Sequence, residues 1–426
     1  MGVLVGEQAQ VACECVDLAP SSGLLLQDAK AQQLFGEVVG SGARDAGSAR
    51  HVCGGGVGLL VEVDDDGCGV GGALAKGADF FVGLQAQGKD FVEGIENVYN
   101  KVKGSCTMLI LTPDGLIAAR DRYGRTPIVI GRRGSDYAVA SESHSYVNLG
   151  YETCRFVGPG EVVKVSVDGG IKVMRPAEEK NQICSFLWIY YGYPCTEYEG
   201  INTEGVRYEL GRLMGQRDDV QADFVSPIPD SGIGMALGYS NGRQIPYKRG
   251  LLKYTPTWSR SFMPVSQEDR FLVAKMKLIP SRAMLQGKDV VFCDDSIVRG
   301  TQLRDNVKML YDYGAKSVHV RISCPPLVHG CTFLNFSESK TDRELITRRV
   351  IEELEGIPAA NLAPEKLRLY QDHNTPEYAR MVEVIRQHVG VDTLKFNTID
   401  DICEAIGMPK ESICTHCFDG SSYGDK

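Results

Sequence analysis

The stretch Val290-Val291-Phe292-Cys293-Asp294-Asp295-Ser296-Ile297-Val298-Arg299-Gly300-Thr301 constrains the fold of this chain more than any other. Its short apolar run reads as a buried strand that ends on two adjacent acids and a loop. A helix follows with Leu303, Val307 and Leu310 on its inner face, Gly314 ends it, and residues 317–323 read as the next strand. Strand, helix and strand in that order form a βαβ unit, which predicts an α/β fold with a parallel sheet. Ligand crevices of such sheets lie at the carboxyl ends of the strands. There the loop N–H groups, the Thr301 hydroxyl and the helix N-terminus can cradle a phosphate. Two carboxylates beside a phosphate make chemical sense if they face a polyol or hold Mg2+. The plainer alternative is that Asp294 and Asp295 cap the helix. The spacing is not that of a P-loop.

Upstream the texture differs. Phe91, Val92, Ile95, Val98, Tyr99 and Val102 recur at helical spacing before Gly104, and short β-type runs follow at 106–112, 116–119, 127–130, 137–140 and 161–167. Turn signals such as Pro113-Asp114-Gly115 separate them, so an antiparallel sheet with an adjoining helix is predicted. Residues 1–75, rich in Gly, Ala, Val and acids, give no clear pattern. Beyond residue 337 the chain reads as helical and charged to about residue 408, and a stripe of Val382, Ile385 and Val389 marks a core or subunit contact.

The balance of charges excludes some functions. A net charge of −9 over 426 residues argues against a broad grip on nucleic acid or anionic lipid. No run approaches the roughly 18 apolar residues of a membrane span, and Met1-Gly2-Val3-Leu4 has no basic leader character. A cytoplasmic protein that binds neither nucleic acid nor membrane is expected. Fourteen cysteines scattered over so long a chain fit metal-binding thiolates better than a disulfide framework.

The Asp294-Asp295 stretch resembles the phosphoribosyl-diphosphate (PRPP) signature of type I phosphoribosyltransferases. Further segments narrow the resemblance to the glutamine PRPP amidotransferase (amidophosphoribosyltransferase) family of purine biosynthesis. Pro227-Ile228-Pro229-Asp230-Ser231-Gly232 resembles its pyrophosphate loop, and Gly250-Leu251-Leu252-Lys253 with Lys275-Met276-Lys277-Leu278 resembles its flexible loop and the helix behind it. Arg120-Asp121-Arg122-Tyr123-Gly124-Arg125-Thr126-Pro127, Ala140-Ser141-Glu142-Ser143 and Pro159-Gly160-Glu161 resemble the second half of its glutaminase domain. The resemblance implies an enzyme. Asp294 and Asp295 would bind the ribose hydroxyls and Mg2+, with Ser231 on the same metal, beside Asp230 and Gly232. Ser296, Ile297, Val298, Arg299, Gly300, Thr301 and Gln302 would hold the 5′-phosphate, and Lys253 and Lys277 are candidate phosphate partners. Gln302 stands where the family has a second Thr, and residues 254–259 depart from its basic loop.

In one branch of that family four cysteines hold a 4Fe-4S cluster, and Cys184, Cys331, Cys414 and Cys417 fill the matching positions. A Zn2+ site with four cysteine ligands would use the same residues, and buried cysteines with no metal are the other alternative. Cys293 and Cys324 read as core.

The glutaminase half departs from the family. No N-terminal Cys nucleophile, His-x-Arg-Tyr strand or Asn-Gly-Asn loop is found, and the chain between Val63 and Phe91 is far shorter. Cys13 and Cys15 are the weak nucleophile candidates, and Gly56-Val57-Gly58-Leu59-Leu60-Val61-Glu62-Val63 resembles the family's Gly-x-Gly-Leu-Val-x-Glu-Val run. The expectation is a truncated Ntn-hydrolase-like (αββα) domain at 1–178, a phosphoribosyltransferase domain at 179–345, and a helical C-terminal region at 346–426 packed on it. The function expected is displacement of pyrophosphate from PRPP by ammonia, from solution or from a donor, in a homo-oligomer (dimer or tetramer). The alternatives are a non-catalytic PRPP- or nucleotide-binding paralogue and a purine salvage transferase.

Overall fold

In the computed structural model, which describes residues 2–5, 58–62, 88–102, 104–112, 114–166, 168–254, 278–334 and 344–421, the first helix is Phe91–Lys101. The Asp90 carboxylate caps it by accepting the Glu93 N–H, and Ile95 and Val98 turn inward. They meet Met108, Ile110, Ile117 and Val162 on one face of a five-stranded antiparallel sheet. That sheet runs Gly58–Glu62, Thr107–Thr112, Gly115–Ala119, Val162–Ser166, Gly170–Arg175. Because side chains alternate along a strand, Leu116, Ala118, Val163 and Val165 face the other way. There they pack on Ile130 and Val139 of a second antiparallel sheet. Its order is Gly2–Val5, Asp136–Ala140, Val129–Arg133, Glu152–Phe156. The far face of this sheet, at Val129, Ala138 and Ala140, buries Tyr146 of the short helix His144–Val147. Helix, sheet, sheet and helix therefore stack in the αββα order. Two strands come from the segment that gave no sequence pattern, pairing Gly2 with Ala140 and Gly58 with Leu111.

A parallel sheet follows, in the order Phe224–Pro227, Asp289–Asp294, Ser317–Ile322, Thr393–Phe396. Tyr239, Met235 and Met214 cover Val225, Val291 and Cys293 on one face. The opposite face belongs to a larger core that includes Val290, Phe292, Val318, Leu303, Val307 and Leu310. The helices Thr203–Arg217 and Ile233–Arg243 press together so closely that a Cβ on Gly238 would lie 1.8 Å from the Tyr208 carbonyl oxygen.

The reading of 346–426 as helical needs correction. Helices Ile346–Glu355 and Pro376–Val389 are present, but Thr393–Phe396 is the edge strand of the parallel sheet. Its Thr-Leu-Lys-Phe sequence is too short for periodicity to reveal, and pairing with Ser317–Ile322 decides its state. Helix Pro376–Val389 buries Met381, Ile385 and Val389, with Val382 only partly covered. The chain's end returns to the start of the parallel-sheet layer, where Ile413–Cys414 pairs with Ile183–Cys184. Among the described residues no helix is long and apolar enough to cross a membrane.

Arg120 joins the two layers. It is fully buried, donates to the Thr126, Val157 and Gly124 carbonyls, and pairs with Glu199 at 2.6 Å. Nearby, the buried Glu142 carboxylate accepts from Tyr198 Oη at 2.8 Å and from Thr196 Oγ1 at 3.2 Å.

Candidate active site

Strand Asp289–Asp294 runs between two parallel neighbours, so its carboxyl end opens at the rim of the sheet. Asp294 is its last residue, and Asp295 turns back into the structure with 7% of its surface exposed. The Asp295 N–H donates to the Asp294 carboxylate at 2.9 Å, the Ser231 hydroxyl donates to Asp295 Oδ2 at 2.5 Å, and Ser296 donates to Oδ1. Burial, then the neighbouring Asp295 carboxylate, pushes the Asp294 carboxyl well above the usual range. Burial also raises Asp295, against the opposing pull of the Ser231 and Ser296 hydroxyls and the Arg207 cation. The capping alternative fails, because the next helix starts at Thr301 and its cap residue is Gly300.

The pyrophosphate-loop segment meets this pair from the neighbouring strand. Gly232 lies against the strand, where a Cβ would come within 2.3 Å of the Cys293 carbonyl oxygen. Gly232→Ala is expected to push the loop off the strand, withdrawing Ser231 from Asp295, and to cost about 1–3 kcal/mol. Chemical unfolding of the variant measures this, and an unchanged midpoint contradicts it. Lys253 pairs with Asp230 at 2.5 Å, both largely exposed.

The 296–302 loop is anchored from beneath. Ile297 is buried, the Val298 carbonyl accepts the Ile346 N–H at 2.8 Å, and Arg299 pairs with Glu344. Gly300 takes a left-handed conformation (φ 74°) at the start of helix Thr301–Asp312 and gives it no side-chain cap. Thr301 and Gln302 are exposed at that N-terminus, where first-turn N–H groups suit an anion. The structure thus gathers Asp230, Ser231, Gly232, Lys253, Asp294, Asp295 and residues 296–302 at one rim. Lys277, Cys13 and Cys15 lie outside the described residues.

The chain resembles known proteins over most of its length. No family model matches it. The amidophosphoribosyltransferase of Bacillus subtilis is 35% identical over 331 residues, covering 76% of this chain and 62% of that protein. That of Methanothermobacter thermautotrophicus is 32% identical over 331 residues, covering 78% and 63% respectively. The solved structure of glutamine PRPP amidotransferase from B. subtilis, complexed with ADP and GMP, superposes with a TM-score of 0.68 at 31% identity. The match covers 87% of this chain and 78% of that one. The chain belongs to the amidophosphoribosyltransferase family. It spans less than two thirds of the length of the two curated relatives.

Amidophosphoribosyltransferase membership directs attention to the cysteines. Cys184, Cys331, Cys414 and Cys417 line one cavity together with Arg125 and His416. Cys184 and Cys414 are register partners in the two-stranded parallel ribbon, and the Val328 and His329 N–H groups both donate to the Cys417 carbonyl. The Leu334 N–H donates to Cys331 Sγ at 3.3 Å. Burial, then Cys414 and Cys331, holds the Cys184 thiol well above its usual range, and the Cys331 hydrogen bond followed by burial does the same to Cys417. Among the described residues no group of three or more His, Cys, Asp or Glu is arranged to hold a metal ion. Four thiols sharing one buried cavity nevertheless fit, as a donor set, a group that takes thiolates. Cys293 and Cys324 are fully buried in the core.

Arg207 and Arg125 were given no role by the sequence. Arg207 is buried, donates to the Trp188, Ile189, Tyr190 and Gly192 carbonyls, and acts electrostatically on Asp295. Nothing local in the sequence marks it, since its partners are main-chain carbonyls 15 to 19 positions away. Arg125 stands in the quoted 120–127 motif, and only folding brings it to the cysteines.

Proposed function

We propose that this chain displaces pyrophosphate from PRPP with ammonia, giving 5-phosphoribosylamine, and that its glutaminase activity is lost. The observation that carries this reading is the Asp294-Asp295 pair at the carboxyl end of the parallel strand, bonded to Ser231 of the neighbouring loop. In this reading the two carboxylates orient the ribose hydroxyls, and residues 296–302 hold the 5′-phosphate against the helix N-terminus. Ser231 and Gly232 shape the pyrophosphate side. Lys253 would have to leave Asp230 to reach a phosphate, and Lys277 is the other lysine we assign to the phosphates. Two adjacent buried carboxyls need a positive partner when they ionise, which suits a divalent cation, so Asp294, Asp295 and Ser231 would hold Mg2+. Bound there, Mg2+ would offset the charge of the departing pyrophosphate. We assign Cys184, Cys331, Cys414 and Cys417 to a 4Fe-4S cluster, with Zn2+ as the alternative. We also propose the domain division at 178 and 345, a cytoplasmic location and a dimeric or tetrameric assembly.

Pyrophosphate release from PRPP and Mg2+ tests the function, with the protein purified anaerobically and assayed with glutamine and with ammonium chloride at high pH. Turnover with ammonium alone is expected. Turnover with glutamine as well would revive Cys13 or Cys15 as nucleophile, and binding of PRPP with no turnover would overturn the enzyme reading in favour of a binding paralogue.

A pH dependence follows. Both carboxyls titrate above the ordinary range in the free protein, and a cation binds their ionised forms, so binding of Mg2+ and PRPP releases protons. Apparent affinity should fall as pH drops through those raised values, by up to about tenfold per pH unit for each proton released, and level off above them. Titration calorimetry in two buffers of different ionisation heat checks this. Identical heats in both would contradict it.

A further inference from the structure

Four thiolates around an iron–sulfur core leave a buried net negative charge, and a buried charge needs a partner. The described structure supplies one cation to that cavity from the N-terminal sheets. Arg125 is 2% exposed, and its guanidinium carbon sits 3.8 Å from the centroid of the Phe333 ring, two residues beyond Cys331. Its side chain lines the same cavity as the Cys414 thiol, and its carbonyl accepts the Cys184 N–H at 3.1 Å. One residue therefore borders three of the segments that carry the thiols.

Arg125 is itself held rigidly. Nη2 donates to Gln182 Oε1 at 3.3 Å, and the ring of Tyr123 lies 5.0 Å from the guanidinium carbon. The adjoining Thr126 N–H donates to the Asp121 carboxylate at 3.0 Å, and the Thr126 carbonyl accepts from the buried Arg120. On the other side, the Ser105 N–H donates to the Phe333 carbonyl at 3.1 Å. A planar guanidinium can stack on an aromatic ring and still direct N–H groups at a sulfur, which an ammonium cannot do as well.

We propose that Arg125 is a positioning residue of the thiolate site, its fixed charge and its stacking on Phe333 holding the cluster's cysteines in register. This rests on the cluster reading given above. It gives the N-terminal sheets a role independent of glutamine hydrolysis, as one wall of the cluster socket. Outer-shell partners of metal ligands commonly change metal affinity by roughly 10- to 100-fold when removed.

The test compares the full chain with Arg125→Met and Arg125→Lys, all purified anaerobically. Iron and acid-labile sulfide per chain, the rate of iron loss to a chelator, and the electron paramagnetic resonance spectrum after dithionite are measured, with circular dichroism as the check on folding. Arg125→Met is expected to lose iron roughly tenfold faster or more, with an altered spectrum, and Arg125→Lys to fall between it and the parent. Parental rate and spectrum in Arg125→Met would overturn the assignment. Should that variant fail to fold, Phe333→Leu takes its place, keeping the charge but removing its platform. Faster iron loss there is expected, and a parental rate overturns the assignment. A parent chain that carries zinc or no metal overturns the cluster reading itself, a result distinct from the others.

Discussion

Asp294→Asn is expected to lower PRPP-dependent pyrophosphate release by roughly a hundred- to a thousandfold, equivalent to about 3–4 kcal/mol of transition-state stabilisation. The substitution keeps the shape of the side chain and its capacity to accept the Asp295 N–H. It removes the charge that a cation or an electron-poor sugar carbon would require. A second readout separates this from misfolding. The Asp294 carboxyl is raised by burial and then by the Asp295 carboxylate, and the Asn amide that replaces it does not titrate. The acidic limb of PRPP binding should then move to lower pH while folding is unchanged. Near-parental turnover in Asp294→Asn would remove the central support for the transferase reading.

The second large effect concerns stability. Arg321 and Asp218 form an ion pair with both side chains fully buried. Asp218 also accepts from Tyr239 Oη at 2.5 Å and from Lys395 Nζ at 2.9 Å. Burial alone would raise the Asp218 carboxyl, but the Arg321 hydrogen bonds and charge, with Tyr239 and Lys395, outweigh it and hold it far below the usual carboxylate range. Arg321→Met leaves that carboxylate buried with fewer donors, and breaking such a pair from one side costs about 3–5 kcal/mol. Chemical unfolding should show this loss, and the double variant Arg321→Met/Asp218→Asn should lose less than the sum of the two single changes. Simple additivity would show that the groups are not energetically coupled. The depressed carboxyl also sets the direction with pH. Its contribution is complete above the unfolded-state value and is lost as pH falls toward the folded one, so the parent should weaken in acid more than Arg321→Met does.

The network shows why some of the molecule escapes sequence reading. Asp218 closes a helix, Arg321 and Lys395 lie on two parallel strands, and Tyr239 is on another helix. Each alone is an ordinary charged or phenolic residue, and their separations of 21 to 177 positions carry no periodic signal. The same holds for strand Thr393–Phe396, assigned by its neighbour and not by its composition.

By itself the sequence determined the βαβ unit around residues 289–322, the antiparallel runs of 106–167, the acid pair at a strand's carboxyl end and the four cysteines in question. These are local signals: alternation, helical spacing, glycine stops and adjacent acids, each written within a few residues. The tertiary structure alone decided that Gly2–Val5 and Gly58–Glu62 are strands, that Ser231 reaches Asp295, and that Arg125 reaches the thiols. Those outcomes depend on which surfaces meet, and a buried charge or an edge strand finds its partner only after the chain has closed around it.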